Sequence, residues 1–551
     1  MEILLNGIWK FKVDEKNDGL NEKWWDYNWV MNNYEKLESI SIPNNWNYIK
    51  GLENYEGIIW FFYKLPKISQ EYLTKDIYIE FKAVNYYSIV WLDSCQLGEN
   101  KGGFLPFQLF INSGLLLGDI EHYIVVRVDN IRRKDQIPSI IYDWYNWGGI
   151  FRDVILKFYE KLRINWVGVK SKLLNNNQAN IVVMYEIKDS REDIKDKDFK
   201  MKLNWNIFYI GNYSSEKSKR QLNKKELSKS GNDINNKNYA EFNDNLSKEN
   251  LQNNYENNIE KKDIIDDLLR EDFSNQDVQN LIKNQEEMEQ SINWVLIKSG
   301  EIEVDNNNLK GNFSCIIDQP KLWSIHNPEL YIIELYLIGT PLKKRIRFGI
   351  RDISIKDNKL LLNNESIKIK GISLHEELLP YGRTIPYDKR KEDILNIKKL
   401  GFNSIRTAHY PHDESFYEIC DEEGVLIYEE IPVYWNILFK NRDSFKLACK
   451  MLRTMILRDY NHPSIILWSC GNEIPINGNI DCLKFMSKLT SYARKLDDSR
   501  LISWVSLPSF TKIPRSIRKN TDIYNLNIYL GWYYLSVKNL SFFLDIIHNM
   551  N

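Results

Sequence analysis

One glutamate in this sequence lies where a catalytic carboxylic acid would be expected. Glu473 ends the run WSCGNE, which begins inside the apolar segment at 465–468. An acid that directly follows a buried strand can protonate the leaving oxygen of a glycosidic bond. The sequence therefore predicts Glu473 as a general acid.

Three further side chains could work beside this acid. Arg406 ends another apolar segment, His409 follows it closely, and His375 follows a third such segment. Guanidinium and imidazole groups can bind sugar hydroxyls or orient a second carboxylate. Structural alternatives stay open, because an arginine can be a surface ion-pair partner and a histidine can be a hydrogen-bonded core residue.

The same region contains a potential metal-binding combination. His409 and His412 lie three positions apart, and Glu376 follows His375. A metal site needs its ligands at a fixed spacing, and no predicted helix holds the two histidines in that way. We therefore expect no metal site, and nothing else in the sequence predicts a cofactor.

These residues lie in a region where strand and helix patterns alternate. Helices are predicted near 388–400, 414–423, 445–458, 483–496 and 537–547, with short apolar strands between them. Such alternation predicts a parallel sheet in a (β/α)₈ TIM barrel, whose functional residues lie at the carboxyl ends of its strands. We expect this domain at 358–551. It supplies about six of the eight units that a complete barrel of about 250 residues contains.

The preceding sequence has the pattern of β-domains. Segments such as 77–82 and 123–128 alternate apolar and polar residues, which predicts a β-sandwich over 1–160. A second β-domain is predicted over 161–357. It is interrupted at 213–290 by a stretch rich in Asn, Lys, Glu, Asp and Ser, which we interpret as a disordered or loosely helical insert.

Composition restricts the class of partner. A net charge of −1 gives no electrostatic reason to expect nucleic acid or an anionic membrane, whereas 17 Trp and 32 Tyr suit the stacking of sugar rings. Aromatic core residues of β-domains account for most of them. Six scattered cysteines, together with no basic leader and no long apolar stretch, lead us to expect a cytoplasmic protein.

Seven segments spread along the chain carry a resemblance to a known family. They are LNGIWKF at 5–11, GGFLPF at 102–107, WGGIFRDV at 147–154, WSIHNPELY at 323–331, KGISLHE at 370–376, GFNSIRTAHYP at 401–411 and RDYNHPSIILWSCGNE at 458–473. In this order they resemble glycoside hydrolase family 2, which contains β-galactosidases and β-glucuronidases. The resemblance implies a jelly-roll sandwich, an immunoglobulin-like sandwich and a catalytic TIM barrel that hydrolyses terminal β-glycosidic bonds with retention.

The resemblance also implies a role for individual residues. Glu473 matches the general acid/base, and the other matching positions bind the substrate or orient the nucleophile. Those positions are Asn472 at the sugar 2-hydroxyl, Arg406 beside the nucleophile, His375 and His409 at the sugar, Asp143 reaching in from the first domain, and Tyr529 bonding the nucleophile.

The family's nucleophile is a glutamate at the end of the seventh barrel strand. Three units of about 31 residues place it about 93 residues beyond Glu473, and no glutamate follows Glu473 in this chain. We therefore expect a C-terminally truncated, inactive enzyme that self-associates through the open side of its barrel. The alternatives are a non-catalytic carbohydrate-binding remnant and an unrelated barrel enzyme, which the ordered motifs disfavour.

Overall fold

The computed structural model describes residues 1–175, 177–191, 201–212, 294–305, 307–338, 340, 343–475, 479–507, 521–533 and 535–550. The predicted insert at 213–290 lies outside these residues. Across the part of the chain that is described, no helix combines the length and apolarity that a membrane span requires.

The first region is a sandwich of two antiparallel sheets around one apolar core, as expected. A short helix, Tyr27–Asn33, adds to the predicted strands, and the Asp26 side chain caps its first turn. The four-stranded sheet has the order Glu2–Leu4, Val154–Tyr159, Asp76–Phe81 and Phe107–Ile111. The six-stranded sheet has the order Glu38–Ile42, Gly7–Val13, Ile58–Lys64, Tyr123–Asp129, Tyr87–Leu92 and Cys95–Lys101, and a separate pair joins Val84–Asn85 to Gly149–Ile150.

The second region is a smaller sandwich of three and four strands, which fits the expected immunoglobulin-like layer arrangement. One sheet has the order Leu162–Asn175, Gln178–Asp189 and Lys310–Asp318, and the other has the order Val295–Val304, Met201–Gly211, Leu330–Leu337 and Lys343–Phe348. A three-stranded meander follows, formed by Ile353–Lys356, Lys359–Leu362 and Glu365–Ser366. The domain boundaries at 160 and 357 stay predictions.

The third region is a parallel sheet whose strands alternate with helices, which confirms the predicted class of fold. Its first five barrel strands are, in order, Gly371–Leu374, Ser404–Thr407, Leu426–Glu430, Ile465–Ser469 and Leu501–Ser503. The sixth barrel strand, Asn525–Leu526, pairs in parallel with Val505–Ser506. The sequence predicts the first strand at 367–373, whereas the paired residues are Gly371–Leu374, in parallel register with Ser404–Thr407.

The helices of this region bury one face against the sheet. Asp413 caps one of them by accepting a hydrogen bond from the Ser415 backbone N–H, and Gly424 ends it with a left-handed φ of 70°. The α-helices are Tyr387–Lys399, Glu414–Glu423, Arg442–Asp459, Ile480–Leu496 and Leu540–Met550. Short 3₁₀ helices occur in the first region at Tyr34–Lys36, Trp46–Tyr48, Gln70–Thr74 and Ser113–Leu116, and in the third at Val537–Asn539.

Candidate active site

The second, third and fourth barrel strands bring charged side chains to one place. Parallel strands present their carboxyl ends at the same edge, and this edge carries Arg406, Glu430 and Glu473. All three side chains are largely buried. We call this place the barrel mouth.

Glu473 accepts hydrogen bonds at both of its carboxylate oxygens. Trp435 Nε1 donates to Oε2 at 2.6 Å, and Asn527 Nδ2 donates to Oε1 at 2.8 Å. The Tyr529 hydroxyl also donates to Oε1. The backbone of Glu473 has a φ of 51°, a left-handed conformation that is costly for a residue with a side chain. The fold thus holds this carboxylate in place from three sides.

Asn472 and Arg406 form the next layer of the barrel mouth. Arg406 Nη2 donates to Asn472 Oδ1 at 2.6 Å, and Asn527 Nδ2 donates to the same oxygen at 3.1 Å. Because two donors bind the Asn472 side-chain oxygen, the orientation of the amide is fixed. Its NH₂ group can then donate hydrogen bonds to a ligand. This is the geometry needed to bind a sugar hydroxyl.

Glu430 ends the third barrel strand and is not among the site residues predicted from the sequence. Arg406 Nη2 donates hydrogen bonds to Glu430 Oε1 at 3.0 Å and to Oε2 at 2.8 Å. Ser469 Oγ also donates to Oε2, at 2.7 Å. Burial raises the pKa of this carboxyl, but the Arg406 guanidinium and the His409 and Ser469 hydrogen bonds outweigh it, so that the pKa falls to about 2. Glu430 is therefore a permanent anion that holds Arg406.

The two candidate histidines lie 5.6 Å apart, measured between ring centroids. His409 Nδ1 is 2.7 Å from Glu430 Oε1, which leaves Nε2 for a ligand. His375 Nδ1 is 3.3 Å from the Tyr410 hydroxyl. Burial, with the nearby His409 and Arg383 charges, lowers the pKa of His375 to about 4, so that this ring is neutral at neutral pH.

A loop of the first sandwich completes the barrel mouth. Asp143 Oδ1 accepts from the Tyr434 hydroxyl at 2.7 Å, and burial together with this bond raises the pKa of Tyr434. The Trp144 ring lies 5.9 Å from both the His375 and the His409 ring centroids. The sandwich loop thus supplies one wall of the site.

The residues considered for a metal site have other contacts. Glu376 is 3% exposed and accepts from Arg152 Nη2 at 2.6 Å and from the Asp413 backbone N–H at 2.8 Å. His412 is buried, and burial lowers its pKa to about 3. Within the described ranges, no group of three or more His, Cys, Asp or Glu residues is arranged to hold a metal ion.

The structure therefore brings all seven candidate residues to the barrel mouth or its wall. Tyr529, which the resemblance placed beside the nucleophile, contacts Glu473. The strand-end rule could also have found Glu430 and Asn527, since they end or follow the third and sixth strands. Trp144 and Trp435 had no such signal, because they lie in loops.

Two models of one family match this chain. The model described as "Glycosyl hydrolases family 2, sugar binding domain" matches residues 3–160, and "Glycosyl hydrolases family 2, TIM barrel domain" matches residues 353–544. The chain belongs to glycoside hydrolase family 2. Its predicted three-part fold and its recognition from sequence motifs are both confirmed.

Relatives and solved structures are similar to this chain over most of its length. A β-galactosidase of Thermoanaerobacterium thermosulfurigenes is 26% identical over 542 residues, which cover 96% of this chain and 60% of the relative. A β-glucuronidase of Paenibacillus borealis is 21% identical over 96% of this chain and 76% of its own length. The solved β-glucuronidase of Bifidobacterium dentium superposes with a TM-score of 0.74 at 19% identity, covering 100% of this chain and 82% of that one. The chain thus spans somewhat more than half of the first relative's length.

Proposed function

We propose that this family 2 protein acts on terminal β-glycosides, and that its barrel mouth carries the acid/base half of a retaining site. The observation that carries the proposal is the position of Glu473, held by Trp435, Asn527 and Tyr529 beside the oriented Asn472 amide. A proton donor next to a group that binds the sugar is what cleavage of a glycosidic bond requires.

In this proposal each side chain of the barrel mouth has one task. Glu473 gives its proton to the oxygen of the leaving group and later accepts a proton from water. The Asn472 NH₂ group binds the 2-hydroxyl of the terminal sugar, where hydrogen bonds strengthen in the transition state. His375 and His409, with Asp143, bind the remaining hydroxyls, and the Trp144 ring supports both imidazoles.

The second carboxylate of a retaining reaction should lie about 5 Å from the first. Glu430 is unsuitable, because it is 0% exposed and its oxygens already bind Arg406, His409 and Ser469. Asp143 is bonded to the Tyr434 hydroxyl. We therefore propose that none of the described carboxylates serves as nucleophile, and that residues 1–551 alone do not turn over substrate.

The test supplies a nucleophile from solution. Residues 1–551 are incubated with 2,4-dinitrophenyl and phenyl β-galactosides and β-glucuronides, with and without sodium azide. We expect no turnover without azide. With azide, attack at the anomeric carbon should form a C–N bond with inversion and expel the aryl oxide, giving an α-glycosyl azide.

Variants assign the role of Glu473 in the same assay. Glu473→Ala should abolish azide-dependent cleavage of the phenyl glycoside, whose leaving group needs a proton, and spare the dinitrophenyl glycoside. Glu392→Gln, on an exposed side chain of a barrel helix, should change neither reaction. Multiple turnovers without azide that Glu473→Gln abolishes would contradict the missing nucleophile. Sugar binding without any azide product would favour the non-catalytic remnant.

We also propose a cytoplasmic location. All six cysteines are free thiols, which suits a reducing compartment. The measurement is the distribution of a tagged copy between cytoplasmic and exported fractions of the cells that make the protein.

A further inference from the structure

A cavity of about 450 Å³ lies where the three regions of the chain meet. The first sandwich contributes Gln108 and Tyr159, the second contributes a strand segment at 163–166 with Lys344, and the barrel helix Arg442–Asp459 contributes Arg453. No residue of the barrel mouth belongs to this lining.

The helix direction separates this cavity from the barrel mouth. Arg442–Asp459 begins after the carboxyl end of the third barrel strand and leads to the amino end of the fourth, Ile465–Ser469. Arg453 and Leu457 lie in the second half of the helix, so the cavity lies near the amino ends of the barrel strands. Active sites of such barrels lie at the opposite end.

The cavity has an excess of positive charge. Its lining includes four cationic side chains, and Glu186 is the single acid among the described lining residues. Glu186 is already paired with Lys310 at 3.0 Å, and Arg163 is paired with Asp76 at 2.7 Å. The excess positive charge is therefore carried by the two remaining cationic side chains.

Those two cations are Lys344 and Arg453, and neither side chain has a hydrogen bond or an ion pair to another described residue. Lys344 is partly buried, and burial together with the nearby Lys157 charge lowers its pKa, although Glu2 and Glu80 oppose this. An ammonium group in this position gains from a bound anion, because the anion compensates for the loss of hydration.

A strand irregularity adds polar and aromatic groups to the cavity. The pairing of Leu162–Asn175 with Gln178–Asp189 shifts register between Ile164 and Trp166, so that Asn165 is an unpaired bulge residue with an exposed side chain. Bulges re-aim side chains and often lie beside functional sites. Amides bind hydroxyl groups, and Trp166 and Tyr159, whose rings also contact Tyr460 and the Arg163 guanidinium, line the cavity beside Asn165.

We propose that this cavity is a second carbohydrate-binding site, selective for a saccharide that carries a carboxylate or sulfate group. The anionic group binds between Lys344 and Arg453, and the sugar ring lies against the amide and aromatic side chains of the bulged strand. The proposal stands independently of the activity proposed for the barrel mouth.

Isothermal titration of residues 1–551 tests the site with cellobiouronic acid, with neutral cellobiose and with inorganic sulfate. An iminosugar that fills the barrel mouth is present throughout. We expect the acidic disaccharide to bind at least tenfold more tightly than either of the other two. Lys344→Met should weaken its binding at least tenfold, Lys344→Arg should retain it, and Lys356→Met, at an exposed lysine of the meander, should leave it unchanged.

Four results would overturn the proposal. Equal affinity for cellobiose would remove the role of charge, and equal affinity for sulfate would leave an inorganic anion site only. Binding of the acidic disaccharide only in a titration from which the iminosugar is omitted would assign it to the barrel mouth. Retained affinity in a folded Lys344→Met variant, checked by its circular dichroism spectrum, would exclude Lys344.

Discussion

Two sides of the barrel differ in how their side chains are covered. At the mouth formed by the second to fourth strands, Glu430 is 0% and Asn472 1% exposed, and every charge there has a partner of the opposite sign or a polar donor. On the side of the sixth strand, Trp532 is 80%, Tyr533 74% and Phe542 69% exposed. We call this second area the sixth-strand side.

The difference shows that the site and the barrel wall depend on different neighbours. Arg406 is held by Glu430 on the next strand and by Asn472 beyond it. Glu473, in contrast, also accepts hydrogen bonds from Asn527 and Tyr529, which follow the sixth strand. The aromatic rings of the sixth-strand side have no such cover from described residues.

The largest effect is expected at the barrel mouth, from Glu430→Leu. The substitution leaves the Arg406 guanidinium buried without its anion, and breaking such a pair typically costs about 3–5 kcal/mol. The free energy of unfolding in urea measures the loss. Glu365→Gln, on an exposed strand of the meander, is the control and should stay within about 0.5 kcal/mol. A loss below about 1 kcal/mol for Glu430→Leu would contradict the role of this ion pair.

A smaller effect at the same mouth depends on pH. His375 has a pKa of about 4 in the folded protein against an ordinary value of 6.5. Between these two pH values the imidazole is protonated in the unfolded chain and neutral in the folded protein. The stability that neutral His375 contributes is therefore present above pH 6.5 and is lost as pH falls from 6.5 to 4, by at most about 1.4 kcal/mol per pH unit.

Urea unfolding of the parent protein and of His375→Asn, at several values between pH 7 and pH 4.5, measures this effect. The parent should lose stability faster than the variant as pH falls. His326→Asn, at an exposed position, should follow the parent. Parallel curves for the parent and His375→Asn would show that this imidazole does not resist protonation.

On the sixth-strand side we expect self-association and little change in folding. Exposed aromatic rings of this size attract one another in water, so residues 1–551 should form oligomers at micromolar concentration. The double variant Trp532→Ser with Phe542→Ser should shift the protein toward monomer in sedimentation velocity. Tyr48→Ser, at an exposed aromatic residue of the first sandwich, is the control. Unchanged association in the double variant would place the contact elsewhere.

The smallest effect is expected far from both sides, in the second sandwich. The sequence predicts that 213–290 buries little apolar area. Tyr209 pairs with Val295, so the chain leaves and re-enters the sheet at neighbouring positions and a short Gly-Ser linker can join them. Deleting 213–290 should change the thermal midpoint by only a few degrees. A fall in the thermal midpoint of more than about 10 °C is larger than a loss of about 1 kcal/mol in stability would cause. Such a fall would show that the segment packs against the rest of the protein.

The sequence by itself determined the class of each region and several residues of the site. Alternating strands predicted the sandwiches, and strand–helix alternation predicted the barrel, because these periodicities are local. The strand-end rule then located Arg406, His375, His409 and Glu473, and family motifs added Asn472, Asp143 and Tyr529.

Only the tertiary structure decided which groups work together. Glu430 became the partner of Arg406 and His409 because parallel strands brought their ends to one edge, and Trp144 reached the histidines because a sandwich loop packs on the barrel. The position of Lys344, whose side chain has no ion-pair partner among the described residues, likewise depends on three regions meeting at one cavity. Such contacts join residues far apart in the chain, so no local period or spacing encodes them, and packing alone determines which charges find partners.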